Sequence, residues 1–235
     1  MAFTERTELL VGKDILEKIK NTEVAIFGLG GVGSFALEAL ARLGFGNFLI
    51  VDNDVIEESN INRQIFALSS TLGKSKVEVA KERVLDINPL AKVEDKKIFF
   101  RKEYAEILKD CNYVVDAVDT IASKIDLIEF CYKNNIPIIS CMGAANRLDP
   151  KKFLVADIYS TSVCPVCRVL RKELKIRNIK NLKVVYSTEI PKKIKNIDPS
   201  NTENAKVLGS ISFVPSAAGL ILASEVFYHF FKIRH

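Results

Sequence analysis

The run Gly28-Leu29-Gly30-Gly31-Val32-Gly33 follows a short apolar segment and precedes one with apolar residues at helical spacing. In that strand–turn–helix setting, glycines allow a tight turn and bring backbone N–H groups close to a phosphate. The partial positive charge of a helix N-terminus lies behind them. A second apolar segment ends in Asp52-Asn53-Asp54, where an acidic side chain can accept hydrogen bonds from ribose hydroxyls. These features alone suit NAD and ATP equally well.

The residues that follow separate the two. Asn60-Ile61-Asn62-Arg63-Gln64 comes soon after the acidic pair, then Gly73-Lys74-Ser75-Lys76, and later Asp116-Ala117-Val118-Asp119 at the end of another apolar segment. Arg63 and Lys76 put two cations near the phosphates, more than a nicotinamide cofactor needs. Asp54 and Asp119 are hard oxygen ligands suited to Mg²⁺. Such a set suits attack at phosphorus, where charge on the phosphate oxygens and departing pyrophosphate must be neutralised. Any one of these residues reads equally well as a surface charge or a helix cap. Their joint position at strand ends beside a glycine loop points to ATP with Mg²⁺.

Positioning them requires a regular frame. Strands are predicted at residues 23–27, 48–51, 98–100, 113–115 and 136–140, with helices over 32–44, 76–87, 103–109 and 123–134 between them. That alternation predicts an α/β fold, a Rossmann-like doubly wound and mostly parallel sheet. Beyond Pro150 the rhythm changes. Strands over 153–158 and 183–187 flank a basic helix over 166–177, a polar stretch at 190–206 reads as a mobile loop, and a last helix begins at Phe213. The expected organisation is one domain over 1–235. A nucleotide-binding core spans 1–150, and 151–235 forms a substrate-side extension with antiparallel and helical character.

Composition is that of a soluble globular chain: 235 residues, 48% hydrophobic, 27% charged, net charge +5. The mild positive balance permits an acidic partner such as RNA without demanding one. Five cysteines do not make a disulfide framework in a chain of this size. Met1 to Thr7 lacks a signal-peptide pattern, so a cytoplasmic location with reduced thiols is expected. The apolar stretch at 213–233 is interrupted by Pro215, Glu225, His229 and Lys232. It reads as a core-packing or surface-lying helix rather than a span, with peripheral membrane contact left open. His229 reads as a packed or interfacial residue rather than a catalytic base.

The ordered set G-x-G-G-x-G, D-x-D, N-x-x-R-Q, G-x-x-K and D-x-x-D resembles the ubiquitin-activating-enzyme superfamily of ThiF/MoeB-like proteins, over about residues 3 to 145. Members adenylate a carboxylate with ATP. The resemblance implies that Asp52 holds the ribose and that Asp54 lies near nucleotide and metal. It also implies that Asn60, Arg63, Gln64 and Lys76 surround the phosphates and that Asp119 supports Mg²⁺. Arg6, six residues before Gly12, matches an arginine that reaches into the partner subunit's site, which implies a homodimer. Without the family, Arg6 is a charge on a short helix.

Further stretches resemble the tRNA threonylcarbamoyladenosine dehydratase family. They are Glu38-Ala39-Leu40-Ala41-Arg42, Arg83 with Ile87-Asn88-Pro89, residues Gly143 to Pro150, Val169 to Leu174, and Val184 to Glu189. That family uses ATP to activate the threonine carboxylate on a modified adenosine in tRNA, and a nucleophile within the modification then closes a ring. The resemblance implies a tRNA substrate and leaves room for a sulfur-relay protein partner. The rival expectation is adenylation of the C-terminal glycine of a ubiquitin-like sulfur carrier, and an NAD-binding module is third. Sulfur-carrier activators commonly hold zinc through two C-x-x-C pairs. This chain has one pair, Cys164-Pro165-Val166-Cys167, with Cys111, Cys131 and Cys141 single. The pair reads as two ordinary cysteines at a helix start, as part of a metal site completed elsewhere, or as a redox or catalytic pair, and its metal is unassigned. Arg168, Arg171, Lys172, Lys175 and Arg177, then Lys180, Lys183, Lys192, Lys193 and Lys195, form a basic stripe. It suits tRNA phosphates, or else it is simply a solvated surface.

Overall fold

The computed structural model describes residues 2–193 and 208–231. Most of the loop expected at 190–206 lies outside them, as do Lys195 and Lys232. Seven strands form one sheet in the order β3-β2-β1-β4-β5-β7-β6. They are β1 Glu23–Phe27, β2 Asn47–Val51, β3 Lys92–Lys96, β4 Tyr113–Asp116, β5 Ile138–Cys141, β6 Phe153–Asp157 and β7 Lys183–Ser187. Every pairing is parallel except β6 with β7, which is antiparallel at the edge. The order reverses between β1 and β4, so a crevice opens there beyond the strand ends, the place where such sheets bind ligands.

Among the described residues there are seven α-helices: α1 Glu5–Val11, α2 Lys13–Asn21, α3 Gly33–Leu43, α4 Lys76–Ile87, α5 Ile121–Lys133, α6 Pro165–Ile176 and α7 Phe213–Phe231. The central strands are apolar at nearly every position because both sheet faces are covered. On one face α3 and α7 pack together, burying Leu37, Leu40, Leu222 and Val226 against Ile26 and Val115. On the other, Phe27, Leu49 and Val114 meet Leu108 and Leu127. A third cluster joins α5 and α6 through Ile128, Leu170 and Leu174.

The C-terminal helix belongs to the core. It is long and apolar enough to cross a membrane by length and composition, yet Val214, Ala218, Leu222 and Val226 are fully buried. Gly219 presses so closely on α3 that an added Cβ would stand 2.3 Å from the Val32 carbonyl oxygen. His229 packs edge-on to Tyr113, with ring centroids 4.9 Å apart. That is the packed role expected of it.

Three expectations fail. The strand anticipated at 98–100 is absent; the edge strand is β3, whose Lys92-Val93-Glu94-Asp95-Lys96 is too charged to read as apolar alternation. The apolar run after it has other uses: Phe100 is buried against Phe27 at 4.8 Å, and Phe99 carries the Arg101 guanidinium over its ring at 4.7 Å. The helix expected at 103–109 is a 3₁₀ segment, Lys102–Leu108. The basic stripe is also thinner than expected. Arg171 is spent on the Thr161 hydroxyl and on the Ile158 and Thr161 carbonyls, and Arg177 pairs with Glu129 and Glu173.

Candidate active site

The glycine loop connects β1 to α3. Gly28 adopts φ +85° and lies against the β4 exit; a Cβ there would come within 2.6 Å of the Ala117 carbonyl oxygen. A Cβ on Gly33 would collide with the Gly28 carbonyl oxygen at 1.8 Å, so only glycine closes this turn onto the helix. Gly30 differs, because nothing lies within 4 Å of its would-be side chain. Among the described residues the N–H groups of Gly30, Gly31 and Val32 have no acceptor. Free donors at a helix N-terminus, facing open space, have the form of a phosphate cradle.

Asp52, at the exit of β2, locks that loop. Its carboxylate accepts the Leu29 N–H at 2.6 Å and the Asp54 N–H at 2.8 Å. The expected ribose acceptor is therefore already oriented by backbone donors, with lone pairs left for hydroxyls. Lys76 opens α4, and its ammonium pairs with Asp54 at 2.7 Å; the lysine side chain is 8% exposed and the aspartate 57%. Arg63 donates to the Ser59 carbonyl at 2.8 Å and to the Asn62 side chain at 3.0 Å. Its stem packs beside Gly31, with Cγ 3.2 Å from where a Cβ would stand. Asn60 accepts the Glu57 N–H at 3.2 Å, and Gln64 is buried behind it.

These residues share one cleft of about 670 Å³ at the switch point, a volume that suits a small-molecule ligand. Gly28, Gly30, Gly31, Asp52, Asp54, Asn60, Arg63, Gln64, Lys76 and Asp119 all line it. Gly33 lies beneath the loop, and Arg6 stands apart on α1, exposed. Phe99 and Phe100 add an apolar wall, and Pro215 on the first turn of α7 covers Gly31. A larger hollow, about 840 Å³, opens between Tyr113, Tyr132, Lys183 and His229. It has no glycine cradle.

Lys124 on α5 also lines the cleft and was not singled out in the sequence. Its ammonium pairs with Asp116 at 2.9 Å and donates to the Ser140 hydroxyl at 3.2 Å, while that hydroxyl donates to Asp116 at 2.5 Å. The pair is 3% and 0% exposed, and it ties the ends of β4 and β5 together beneath Asp119. Lys124 stands eight positions after Asp116, in the first turn of α5, with a loop between them, and a lone lysine on a helix normally reads as solvated. Arg147 is buried as well, donating to the carbonyls of Gly143 and Glu189.

The fit to the expected ligands is good for ATP. Open backbone donors, two cations and an apolar wall match phosphates and a base. For Mg²⁺, no group of three or more His, Cys, Asp or Glu that could hold a metal occurs among the described residues. An exposed Asp119 nevertheless suits an ion held mainly by phosphate oxygens and water. Cys164 and Cys167 have no third metal ligand among the described residues, and both are buried.

Glycine cradle, β2 aspartate and switch-point cleft define a nucleotide-binding α/β protein of Rossmann type. Within that class the comparisons are specific. The chain belongs to the ThiF family, which matches residues 4–232. It is 46% identical over 233 residues to the tRNA threonylcarbamoyladenosine dehydratase of Bacillus subtilis, covering 94% of this chain and 91% of that protein. The structure resembles Escherichia coli tRNA N6-threonylcarbamoyladenosine dehydratase, TcdA, in complex with AMP, with a TM-score of 0.88 and 31% identity over 95% of this chain and 92% of that one. The same enzyme in complex with ATP gives a TM-score of 0.86 at 31% identity over 95% and 91%.

Proposed function

We propose that this chain uses ATP to activate the threonine carboxylate of threonylcarbamoyladenosine in tRNA, after which the modification cyclises with net loss of water. One observation carries the reading: a phosphate cradle, two cations and an exposed carboxylate converge on a single switch-point cleft. The likeness to dehydratases over nearly the whole chain names the carboxylate.

A carboxylate oxygen of the substrate attacks the α-phosphorus, and pyrophosphate leaves. A nucleophile in the same modification then attacks the activated carbonyl, and AMP leaves. The N–H groups of Gly30 to Val32 hold phosphate oxygens, and Asp52 holds the ribose. Lys76, exchanging Asp54 for phosphate, and Arg63 neutralise charge as it develops. Asn60 and Gln64 complete the polar wall. Magnesium, when bound, supplies further charge neutralisation, with Asp119 as its protein ligand. Ring closure is intramolecular, so the protein supplies positioning rather than a nucleophile.

Residues 1–150 act as the nucleotide core and 151–235 as the substrate side. Exposed Arg168, Lys172 and Lys175 on α6 suit tRNA phosphates. The protein works as a homodimer: α1 buries none of its residues and leaves Leu9 90% and Leu10 86% exposed, a surface that needs covering. Arg6 on that helix then serves the partner's cleft. The cytoplasm suits this substrate, and α7 is occupied by the core rather than by a bilayer.

The test is mass analysis of tRNA nucleosides before and after incubation with the protein, ATP and magnesium. Conversion of threonylcarbamoyladenosine to a product lighter by one water is expected. An unchanged nucleoside, with ATP intact, overturns the assignment.

A further inference from the structure

All five cysteines are buried and free, yet they are not alike. Burial pushes Cys111 and Cys141 up to about 12 and raises Cys131 as well; thiols in such surroundings are inert. Cys164 goes the other way. A hydrogen bond from the Cys167 thiol outweighs its burial and holds it below the ordinary thiol range. The backbone N–H groups of Cys167 and Val166, and the Arg147 guanidinium, act in the same sense. Cys167, as the donor, is pushed up.

The surrounding geometry singles out the same pair. Cys164 is the N-cap of α6 and Cys167 lies in its first turn, with Pro165 between them at the helix start. Residues three apart at a helix start are neighbours, within the span a disulfide can bridge. Immediately before the pair, the β-branched Val163 adopts φ +60°. There the Cys164 N–H donates to the Ser162 carbonyl at 2.6 Å, which closes a three-residue turn in a strained form. Ser162 and Val163 are exposed, so opening this turn uncovers Cys164. Between the two cysteines, Val166 lines the nucleotide cleft, and its Cγ2 is the atom a Cβ on Gly143 would meet at 3.2 Å.

We propose that Cys164 and Cys167 are a redox-active dithiol that closes to a disulfide by exchange with a low-molecular-weight disulfide, and that closure alters the nucleotide cleft through Val166. The Cys164 thiolate attacks one sulfur of the small disulfide, and the displaced thiolate takes up a proton. The Cys167 sulfur, losing its proton to solvent, then attacks Cys164 Sγ in the mixed disulfide and expels the second small thiol. Two protein thiols are oxidised, and one small disulfide is reduced to two thiols.

The cleft arm rests on the nucleotide reading, and the disulfide arm does not. The full chain is equilibrated in buffers of varied glutathione disulfide to glutathione ratio, its free thiols are trapped by alkylation, and its peptides are mapped. A Cys164–Cys167 disulfide whose fraction follows the ratio is expected, with Cys111, Cys131 and Cys141 untouched. Cys167→Ser should instead retain glutathione on Cys164. ATP affinity, measured by calorimetry, should differ about fivefold or more between oxidised and reduced wild type, and not at all in Cys167→Ser. No disulfide at any ratio, or equal modification of the other cysteines, overturns the exchange. A disulfide that leaves ATP affinity unchanged overturns the link to the cleft. Failure of both redox states to bind ATP strikes the nucleotide reading and, with it, the link; the peptide map still decides the exchange.

Discussion

The cleft and the extension beside it are built on opposite plans. In the cleft, partners lie close along the chain or on adjacent strand ends: Leu29 with Asp52, Asp54 with Lys76, Arg63 with Ser59. Many of the donors there are backbone N–H groups, whose positions follow once β1, β2 and β4 pair in parallel. Where the extension joins the core, side chains reach across long stretches of chain. Arg147 meets Glu189, and Glu189 in turn accepts the N–H groups of Leu148 and Asp149. A site made of strand ends and glycines leaves its spacing in the sequence. One held by distant side chains leaves only residue types.

That contrast can be broken at graded cost. The largest effect is expected at Asp119: Asp119→Ala should abolish ATP–pyrophosphate exchange while thermal unfolding stays unchanged. Retained exchange would remove the metal role proposed for it. Lys124→Met leaves a fully buried Asp116 uncompensated and should lower the free energy of unfolding by about 3–5 kcal/mol in a urea titration. A loss below about 1 kcal/mol would mean that the pair is not the brace described. Arg63→Ala and Lys76→Ala should each slow exchange about a hundredfold, as expected for loss of one charge-stabilising group. The extension is probed by Arg168→Ala with Lys172→Ala. Removing two of the proposed phosphate contacts should weaken tRNA binding and reduce its logarithmic salt slope by about 1.4–1.8, with ATP affinity unmoved. Altered ATP affinity would blur the division between the two regions.

The smallest effect belongs to the scaffold behind the cleft. Burial alone would raise Glu38, but hydrogen bonds from Arg83 and Arg42 hold its carboxyl below the usual range. A depressed folded value stabilises the protein above the unfolded carboxylate range, about 4.3, and that contribution is lost as pH falls through the folded value. Glu38→Gln should therefore flatten the acid limb of a stability–pH profile. A limb of unchanged slope would show that other carboxylates carry it.

Legibility cut across that division. Helix α4 begins and ends at the expected residues because Pro89 stops it and its apolar spacing is regular. Strand β7 matches its expected limits, because Val184-Val185-Tyr186 is a short β-prone apolar run bounded by polar residues. Strand β3 was missed because an edge strand half in water need not be apolar. The apolar residues 98–100 misled because their burial is against Phe27 and the cleft rather than within a sheet. Lys124 was invisible for a different reason: a buried ammonium is recognised by its partners, and both are supplied by other elements.

Gly219 carries one more implication. The tight crossing of α7 over Val32 means that the phosphate loop is braced by a segment translated long after it. A ribosome-bound chain lacking α7 holds the glycine loop, Arg63 and Lys76 and still lacks the wedge that seats them. The seating of the glycine loop is therefore completed only when the last helix has been made and docked.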